Sequence, residues 1–279
     1  MAFRPPPTKH GFMALIWHNG VFKDDGPVLT VHDRLRLGEG LFNTMRVRDG
    51  HLYHAPLHFE KLLKNARLFW GNWTPPSPQT LEDAAYALLN RNDFLKGDYA
   101  FNTLVTGGES GNGIRSPEPP TPHILMRALP LHIPNTPVDA IITRTVRRNE
   151  GSPLSQIKGA HYGDNILALK EAREHGANEA FMLNNRGTLA CATTANIIVV
   201  QDGALLTPPL TDGCQNGVTR TLLMQKYTVA EKSFTPEDLK NAQGFYLLNS
   251  LRGCVPVTRL NNRNLPPPSL MIPKDFHLT

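Results

Sequence analysis

Two short stretches of the sequence combine residue types that could do chemistry. In "SQIKGAHYGDN", Lys158 stands just before a predicted helix among small and apolar residues, and Tyr162 follows closely. A lysine that is withdrawn from water has a lowered ammonium pKa, and its free amine can attack a carbonyl to form a Schiff base. Most single lysines are simply solvated, so this interpretation needs a second feature.

The stretch "TDGCQNGVTRTLLM" supplies one. Gly217 and Thr219 stand at the start of a predicted helix. The free backbone N–H groups and the positive dipole end at such a start bind anions, phosphate in particular. Many helices begin in this way, and alone the signal is weak. A lysine, a phosphate site and a nearby tyrosine together are suited to pyridoxal phosphate.

A third stretch, "GTLACATTANIIVV", places Cys191 among small residues ahead of a β-branched run. The run predicts a buried strand, and the preceding "NNRG" predicts a turn. The small residues leave room for something to lie against the strand. Cys191 could therefore be packing, a nucleophile or a ligand contact, and the residues alone leave this open.

Two other patterns, a histidine triplet and a glycine-rich run, lack the neighbouring residues that a metal site or a phosphate-binding loop requires. His51, His54 and His58 have a metal-like spacing, but they fall on different predicted elements with no cysteine or acidic cluster beside them. No metal site is predicted from them. The run "GESGNG" lacks the Gly-Lys-Ser/Thr of a P-loop, and no helix follows it.

Composition limits the class of protein. The chain has 279 residues, of which 40% are hydrophobic and 19% charged, enough for one large domain or two smaller ones. The net charge of +5 is dispersed, so no nucleic-acid surface is indicated, whereas a small anionic substrate or phosphorylated cofactor fits. Three widely spaced cysteines, and no signal-peptide core or long apolar stretch, predict a cytoplasmic protein without a membrane partner.

The alternation of strand-like and helical segments predicts two α+β domains. The smaller N-terminal domain, residues 1–130, has an Asn-Gly hairpin at 18–20 and helices over 56–70 and 80–92, the second capped by Thr80. The proline-rich region up to 137 places an interdomain linker at 131–137. The larger C-terminal domain, residues 138–279, carries Lys158 and a helix over 164–175, and it ends in a proline-rich tail.

Several motifs between about residues 15 and 260 occur in a familiar order. They are "HDRLRLGEGLFNTMRVRDGHLYHAPLHFEKL", "IKGAHYGDNILALKEAREHGANEAFMLNNRG", "GTLACATTANIIVV", "LLTPPLTDGCQNGVTR" and "LLNSLRGCVPV". Their order and spacing resemble the class IV (fold type IV) pyridoxal-phosphate aminotransferase family, which includes branched-chain and D-amino acid aminotransferases and aminodeoxychorismate lyase. The resemblance implies a two-domain α+β, D-amino acid aminotransferase-like fold and a homodimer.

The resemblance also implies residue roles around pyridoxal 5′-phosphate. Lys158 takes the place of the Schiff-base lysine, which also moves the proton between substrate Cα and cofactor C4′. Tyr162 matches a tyrosine that hydrogen-bonds the phenolate oxygen. Val218 and Thr219, with the Ser250 hydroxyl, are expected to hold the phosphate.

At other positions the chain departs from the family pattern. Lys61 aligns with the phosphate-binding arginine and keeps its charge without its bidentate fork. Cys191 stands where a glutamate contacts the pyridine nitrogen, and a neutral thiol does not keep that nitrogen protonated. Gln215 replaces a leucine that packs under the ring.

The substrate side departs as well. Asn43 replaces a glutamate, and Phe42 stands where some D-amino acid enzymes have tyrosine. The arginines of the lyases become Gly107 and Asn112, which leaves Arg115 for a substrate carboxylate.

The first hypothesis is therefore an aminotransferase that moves an amino group between an amino acid and a 2-oxo acid by ping-pong transfer. Aminodeoxychorismate lyase, forming 4-aminobenzoate and pyruvate, is the alternative. "LLNSLRGCVPV" favours the lyase, while the missing "Arg-Gly-x-Gly-Gly-Arg-Gly" pattern is against it. Cys191 and Gln215 motivate a third hypothesis, a non-catalytic homologue.

Overall fold

The computed structural model describes residues 14–111 and 113–278, which divide into two compact units. One unit contains the described residues up to His132 together with Lys158–His161, and the other contains Ile133–Ile157 and the residues from Tyr162 onward. The division between His132 and Ile133 falls inside the segment 131–137, for which a linker was predicted. Asn112, and the residues 1–13 used in the expectation about a signal peptide, lie outside the described residues.

Among its described residues, the first unit forms a six-stranded antiparallel sheet covered by helices. The spatial order of the strands is β2-β1-β6-β5-β3-β4. The elements in chain order are β1 (Leu15–His18), β2 (Val21–Asp24), β3 (Gly40–Arg48), β4 (His51–Leu52), α1 (Ala55–Ala66), α2 (Pro78–Arg91), β5 (Asp98–Thr106) and β6 (His123–Pro130).

Local chemistry explains where these elements begin and end. The Asn-Gly hairpin is confirmed, because Asn19 and Gly20 both have positive φ angles, 48° and 92°, between the paired β1 and β2. Helix α1 buries Phe59 and Leu62 on one stripe. Helix α2 begins earlier than predicted, and the expected Thr80 cap is wrong. Pro78 opens the helix, and Ser77 Oγ caps it by accepting from the Thr80 amide.

The described part of the second unit contains a nine-stranded mixed sheet. Its strand order is β12-β11-β10-β13-β14-β7-β8-β9, with β15 paired to β14. The elements are β7 (Val138–Ile142), α3 (Gly163–Glu174), β8 (Glu179–Leu183), β9 (Leu189–Ala192), β10 (Asn196–Gln201), β11 (Ala204–Thr207), α4 (Val218–Lys226), β12 (Val229–Glu231), α5 (Pro236–Lys240), β13 (Gly244–Asn249), β14 (Gly253–Leu260) and β15 (Arg263–Asn264).

The core of the second unit lies on both faces of this sheet. One face packs Phe181, Ile197 and Phe245 against α5. Strands β8, β10 and β13 are buried along nearly their whole length, which agrees with their continuous apolar sequences. The predicted helices at 164–175 and after Gly217 are confirmed as α3 and α4.

The proline-rich tail packs against the second unit. The Tyr246 hydroxyl donates to Leu270 O at 2.9 Å, and Cys254 N donates to Lys274 O at 2.8 Å. Lys226, in the last turn of α4, donates from Nζ to Phe276 O at 3.0 Å. The tail is thereby tied to both the sheet and α4.

In the described part of the chain, no helix combines the length and hydropathy needed to cross a bilayer.

Candidate active site

Lys158 lies with the first unit, whereas the sequence placed it in the C-terminal domain. Backbone pairing is the reason, because Phe42 N donates to Lys158 O at 2.9 Å and Ala160 N donates to Gly40 O at 2.8 Å. An isolated β-bridge joins Leu41 and Gly159 between them. The chain around Lys158 is therefore fixed to the start of β3.

The Lys158 side chain is half-buried and lies over an aromatic face. Its Nζ is 4.5 Å from the centre of the Phe42 ring. A cation–π contact of this kind contributes about 0.5–2 kcal/mol, depending on how dry it is. Phe42, predicted on the substrate side, is thus brought to the candidate nucleophile.

His161 packs against the residue that follows Lys158. A Cβ built on Gly159 would lie 2.0 Å from His161 Cε1, and a Cβ on Gly40 would lie 3.2 Å from the Ala160 Cβ. Glycine at position 40 therefore lets the lysine segment approach β3, and glycine at position 159 leaves room for the His161 ring. The histidine is exposed. No role is predicted for this residue from the sequence.

Asn43 lies on the other side of β3 from Phe42, because successive side chains of a strand point to opposite faces. It is buried, and its Nδ2 is 3.5 Å from the His58 carbonyl on α1. Lys61 lies on α1 and is half-buried. Phe42 and Asn43, predicted together on the substrate side, are separated by the strand.

The second unit contains a helix start whose backbone N–H groups have no side-chain cap. Gly217 precedes α4 and has no side chain to cap it, so the N–H groups of the first turn point out from the helix start. Asn196 shapes the turn before it, since Asn196 Nδ2 donates to Gln215 O at 2.8 Å. A Cβ on Gly217 would lie 2.4 Å from Asn196 Oδ1, so this close approach requires glycine.

Two hydroxyls stand beside this helix start. Thr219 Oγ1 and Ser250 Oγ are 3.4 Å apart, although they lie 31 positions apart in sequence. Thr219 and Val218 are buried, and Ser250 is half-buried. The predicted phosphate residues of the second unit are thus brought together with the N–H groups of α4. Such a set of donors is suited to a phosphate.

Cys191 lies on β9, opposite Met182 of β8, and is 7% exposed. Burial raises the pKa of its thiol; the Arg148 guanidinium acts in the opposite direction, and Glu179 adds to the rise. The thiol is therefore neutral at pH 7. Burial likewise raises the pKa of Cys214, which shares its apolar cluster, to about 12.

A buried carboxylate that the sequence did not single out lies near Cys191. Glu179 Oε1 accepts from Thr193 N at 3.0 Å and from the Thr193 hydroxyl, and Arg252 Nη2 is 3.6 Å from Glu179 Oε2. Asn165 Nδ2 donates to Thr193 O at 2.6 Å. The turn between β9 and β10 is thereby held by α3 and β8. Tyr162 stands half-buried at the N-cap of α3.

Comparison with known proteins places the chain in a family. The family model for class IV amino-transferases matches residues 40–260. A protein of Methanocaldococcus jannaschii, assigned provisionally as a branched-chain-amino-acid aminotransferase, is 28% identical over 258 residues, 89% of this chain and 88% of its own. The chain belongs to the class IV aminotransferase family, and the expectation drawn from its motifs is confirmed.

Solved structures bear out the fold. The branched-chain aminotransferase of Thermoproteus uzoniensis, crystallised with norvaline, superposes with a TM-score of 0.85 at 25% identity, covering 92% of this chain and 90% of that one. A Legionella pneumophila protein, assigned provisionally as 4-amino-4-deoxychorismate lyase, superposes with a TM-score of 0.81 at 26% identity, covering 87% and 90%. The predicted α+β, fold type IV architecture is confirmed.

Proposed function

We propose that this protein is a pyridoxal-phosphate-dependent aminotransferase that moves an amino group between an amino acid and a 2-oxo acid. The observation that carries the proposal is the setting of Lys158. Its backbone is fixed to β3, and its Nζ lies over the Phe42 ring. A nucleophilic amine must be held in one direction to react efficiently, and this segment does so.

The donors of the second unit fit the cofactor's phosphate. The Thr219 and Ser250 hydroxyls and the first-turn N–H groups of α4 supply neutral donors for it. Bound pyridoxal phosphate supplies an aldehyde that takes the substrate amino group and a ring that withdraws electrons from Cα. Lys158 Nζ then moves the proton between Cα and C4′.

The remaining residues orient the cofactor and the substrate. Tyr162 is proposed to donate to the phenolate oxygen, Gln215 to lie under the ring, and the neutral Cys191 thiol to face the pyridine nitrogen. A neutral thiol is a weak hydrogen-bonding group, so it would not stabilise a protonated ring nitrogen as a carboxylate does. Arg115 is proposed to bind the substrate carboxylate, and Phe42 is proposed to contact the substrate.

A spectrum tests the proposal directly. The purified protein, incubated with pyridoxal phosphate, is expected to absorb in the visible, and borohydride is expected to fix the cofactor covalently on Lys158. Lys158→Ala removes that adduct and lowers turnover by about 10²- to 10⁴-fold, since a positioned proton carrier is lost. Lys64→Ala, an exposed lysine of α1, is the matched control. A protein that stays colourless would support the non-catalytic alternative.

The second candidate function is the lyase. It is favoured by the Asn249-Ser250-Leu251 sequence and by the likeness to the Legionella protein. The two activities differ in their need for an acceptor. Pyruvate released from aminodeoxychorismate without any 2-oxo acid would favour the lyase, while strict dependence on a 2-oxo acid supports the aminotransferase. A homodimer is also proposed, and light scattering of the purified protein tests it.

A further inference from the structure

A buried arginine in the first unit donates hydrogen bonds to an exposed loop. Arg34 is 2% exposed and lies in a short 3₁₀ helix, Arg34–Leu37, that Asp33 caps. Its Nη2 donates to Ile114 O at 2.7 Å, and its Nη1 donates to Arg115 O and to Ser110 Oγ, both at 3.1 Å. One guanidinium thus binds the backbone of two successive loop residues.

Glu39 holds this guanidinium in place. It forms a buried ion pair with Arg34 Nε, and Trp70 Nε1 donates to Glu39 Oε1 at 2.7 Å. Ser116 Oγ lies 3.3 Å from Glu39 Oε1, and Gly107 N donates to Glu39 O at 3.0 Å. The Glu39 carboxylate therefore connects the arginine, the Trp70 indole and Ser116, while the Glu39 backbone carbonyl binds the start of the loop at Gly107.

Two of the loop side chains extend into solvent. Ile114 is 87% exposed, and Arg115 is also exposed. None of residues 113–116 has a buried apolar side chain that could hold the loop in place. Ser116, which is polar, is half-buried. Their conformation is set by hydrogen bonds from Arg34 to the carbonyls of Ile114 and Arg115. Fixing these carbonyls also fixes the direction of the Arg115 Cα–Cβ bond, from which the side chain starts.

We propose that Arg34 is a positioning residue for the substrate carboxylate: it fixes the backbone of residues 113–116 and so directs the Arg115 guanidinium. This inference rests on the proposed function, in which Arg115 binds that carboxylate. Binding groups that are preorganised in the free protein do not lose ordering entropy when the substrate arrives. The buried Arg34 guanidinium, by ordering the loop in the free protein, would reduce this loss of entropy on substrate binding.

The test compares Arg34→Lys with the parent protein and with Arg127→Lys, an exposed arginine of β6. Lysine keeps a charge for Glu39 but lacks the planar fork, so it cannot hold both carbonyls as well. The KM values for amino acid and 2-oxo acid are expected to rise about 10- to 100-fold in Arg34→Lys. The kcat and the visible spectrum of Arg34→Lys should stay close to those of the parent. The control Arg127→Lys should match the parent in KM as well.

A double variant decides whether Arg34 acts through Arg115. Arg34→Lys/Arg115→Met is expected to have a KM no higher than Arg115→Met alone, because the positioning has nothing left to position. Effects that multiply would overturn the proposal. A primary amine without a carboxylate should react equally well with all variants. If Arg34→Lys does not fold, Ser110→Ala removes one acceptor of the guanidinium and should raise KM in the same direction.

The two proposals fail differently. A protein that never becomes coloured with pyridoxal phosphate contradicts the proposed function. A coloured protein whose KM values are unchanged in Arg34→Lys contradicts the role of Arg34 alone. Amide hydrogen exchange at residues 113–116, which does not depend on turnover, should be faster in Arg34→Lys, and unchanged exchange would also overturn the positioning role.

Discussion

The hydroxyl oxygens of Thr219 and Ser250 lie 3.4 Å apart at the start of α4. Their residues come from the first turn of a helix and from the connection that follows β13. Each hydroxyl can donate one hydrogen bond, and an anion at this position would receive both. Loss of either hydroxyl should therefore weaken the binding of a phosphate group at this helix start.

Thr219→Val and Ser250→Ala are each expected to weaken pyridoxal-phosphate binding. A hydrogen bond to a charged group is worth about 1.5–3 kcal/mol, so the Kd rises by about tenfold or more for each variant. Equilibrium titration followed by absorbance measures it. Ser233→Ala, an exposed hydroxyl in the same unit, should leave the Kd unchanged. An unchanged Kd in both site variants would argue against phosphate binding here.

Cys191→Glu is expected to accelerate the reaction of the loaded protein with an amino acid. A carboxylate at this position would stabilise the protonated form of the pyridine nitrogen and make the ring a better electron acceptor, with a gain on the order of tenfold. The half-reaction followed by stopped-flow absorbance measures it.

Cys191→Gln is the matched control, because glutamine has the same shape without the charge. Stability should fall in Cys191→Glu by about 1–3 kcal/mol, since the site is buried and already has Glu179 nearby. Equal rates in the glutamate and glutamine variants would mean that protonation of the ring nitrogen is irrelevant in this protein.

Glu171 makes the stability of the second unit depend on pH. Burial acts to raise the pKa of its carboxyl, but bonds from the Thr143 hydroxyl and from the Arg144 and Thr145 amides outweigh it and lower the pKa to about 2. A lowered pKa stabilises the fold at pH values above the ordinary pKa, and the stabilisation is lost as the pH falls toward the lowered value.

Glu171→Gln should therefore destabilise the protein by about 1–2 kcal/mol at pH 7, after allowance for solvent screening. The difference from the parent should shrink as the pH falls from about 4.5 toward 2. Urea unfolding at several pH values measures both. Glu174→Gln, an exposed residue of the same helix with a 3.8 Å contact to Lys170, is the control and should be nearly neutral. A pH-independent difference would contradict this account.

Gly159→Ala tests the packing beside the lysine. The added Cβ would meet the His161 ring at 2.0 Å, so the imidazole must move from its place. A loss of about 1 kcal/mol is expected, seen as a fall of about 2–4 °C in Tm. The double variant Gly159→Ala/His161→Ala should regain most of that loss. If it does not, the strain lies in the Gly159 backbone and not in the histidine contact.

Local patterns in the sequence were sufficient for much of the fold. The Asn19-Gly20 hairpin and α4 after Gly217 follow from turn chemistry and helix signals close in sequence. Period-two alternation would also have placed Phe42 and Asn43 on opposite faces of β3. The cap of α2 was missed because Ser77 and Pro78 precede the apolar pattern.

The candidate site was harder to predict from the sequence, because its contacts join residues that lie far apart in the chain. Arg34 reaches Ile114 across 80 positions, and Trp70 reaches Glu39 across 31. Nothing local to "HDRLRLGEG" shows that its arginine is buried or which carbonyls it binds. Lys158 is predicted as a nucleophile from residues close to it in sequence, yet the pairing of its segment with Gly40 and Phe42 depends on a strand more than a hundred residues earlier.

The packing of residues 270–278 bears on how the protein is handled. A Cβ on Gly253 would lie 2.0 Å from Lys274 O, so the segment is pressed against β14, and His277 is only 2% exposed. Shortening the chain before Ile272 would uncover part of an apolar cluster and release the far end of α4. An affinity tag fused directly after this segment would start beside a buried side chain, and a flexible spacer should precede it.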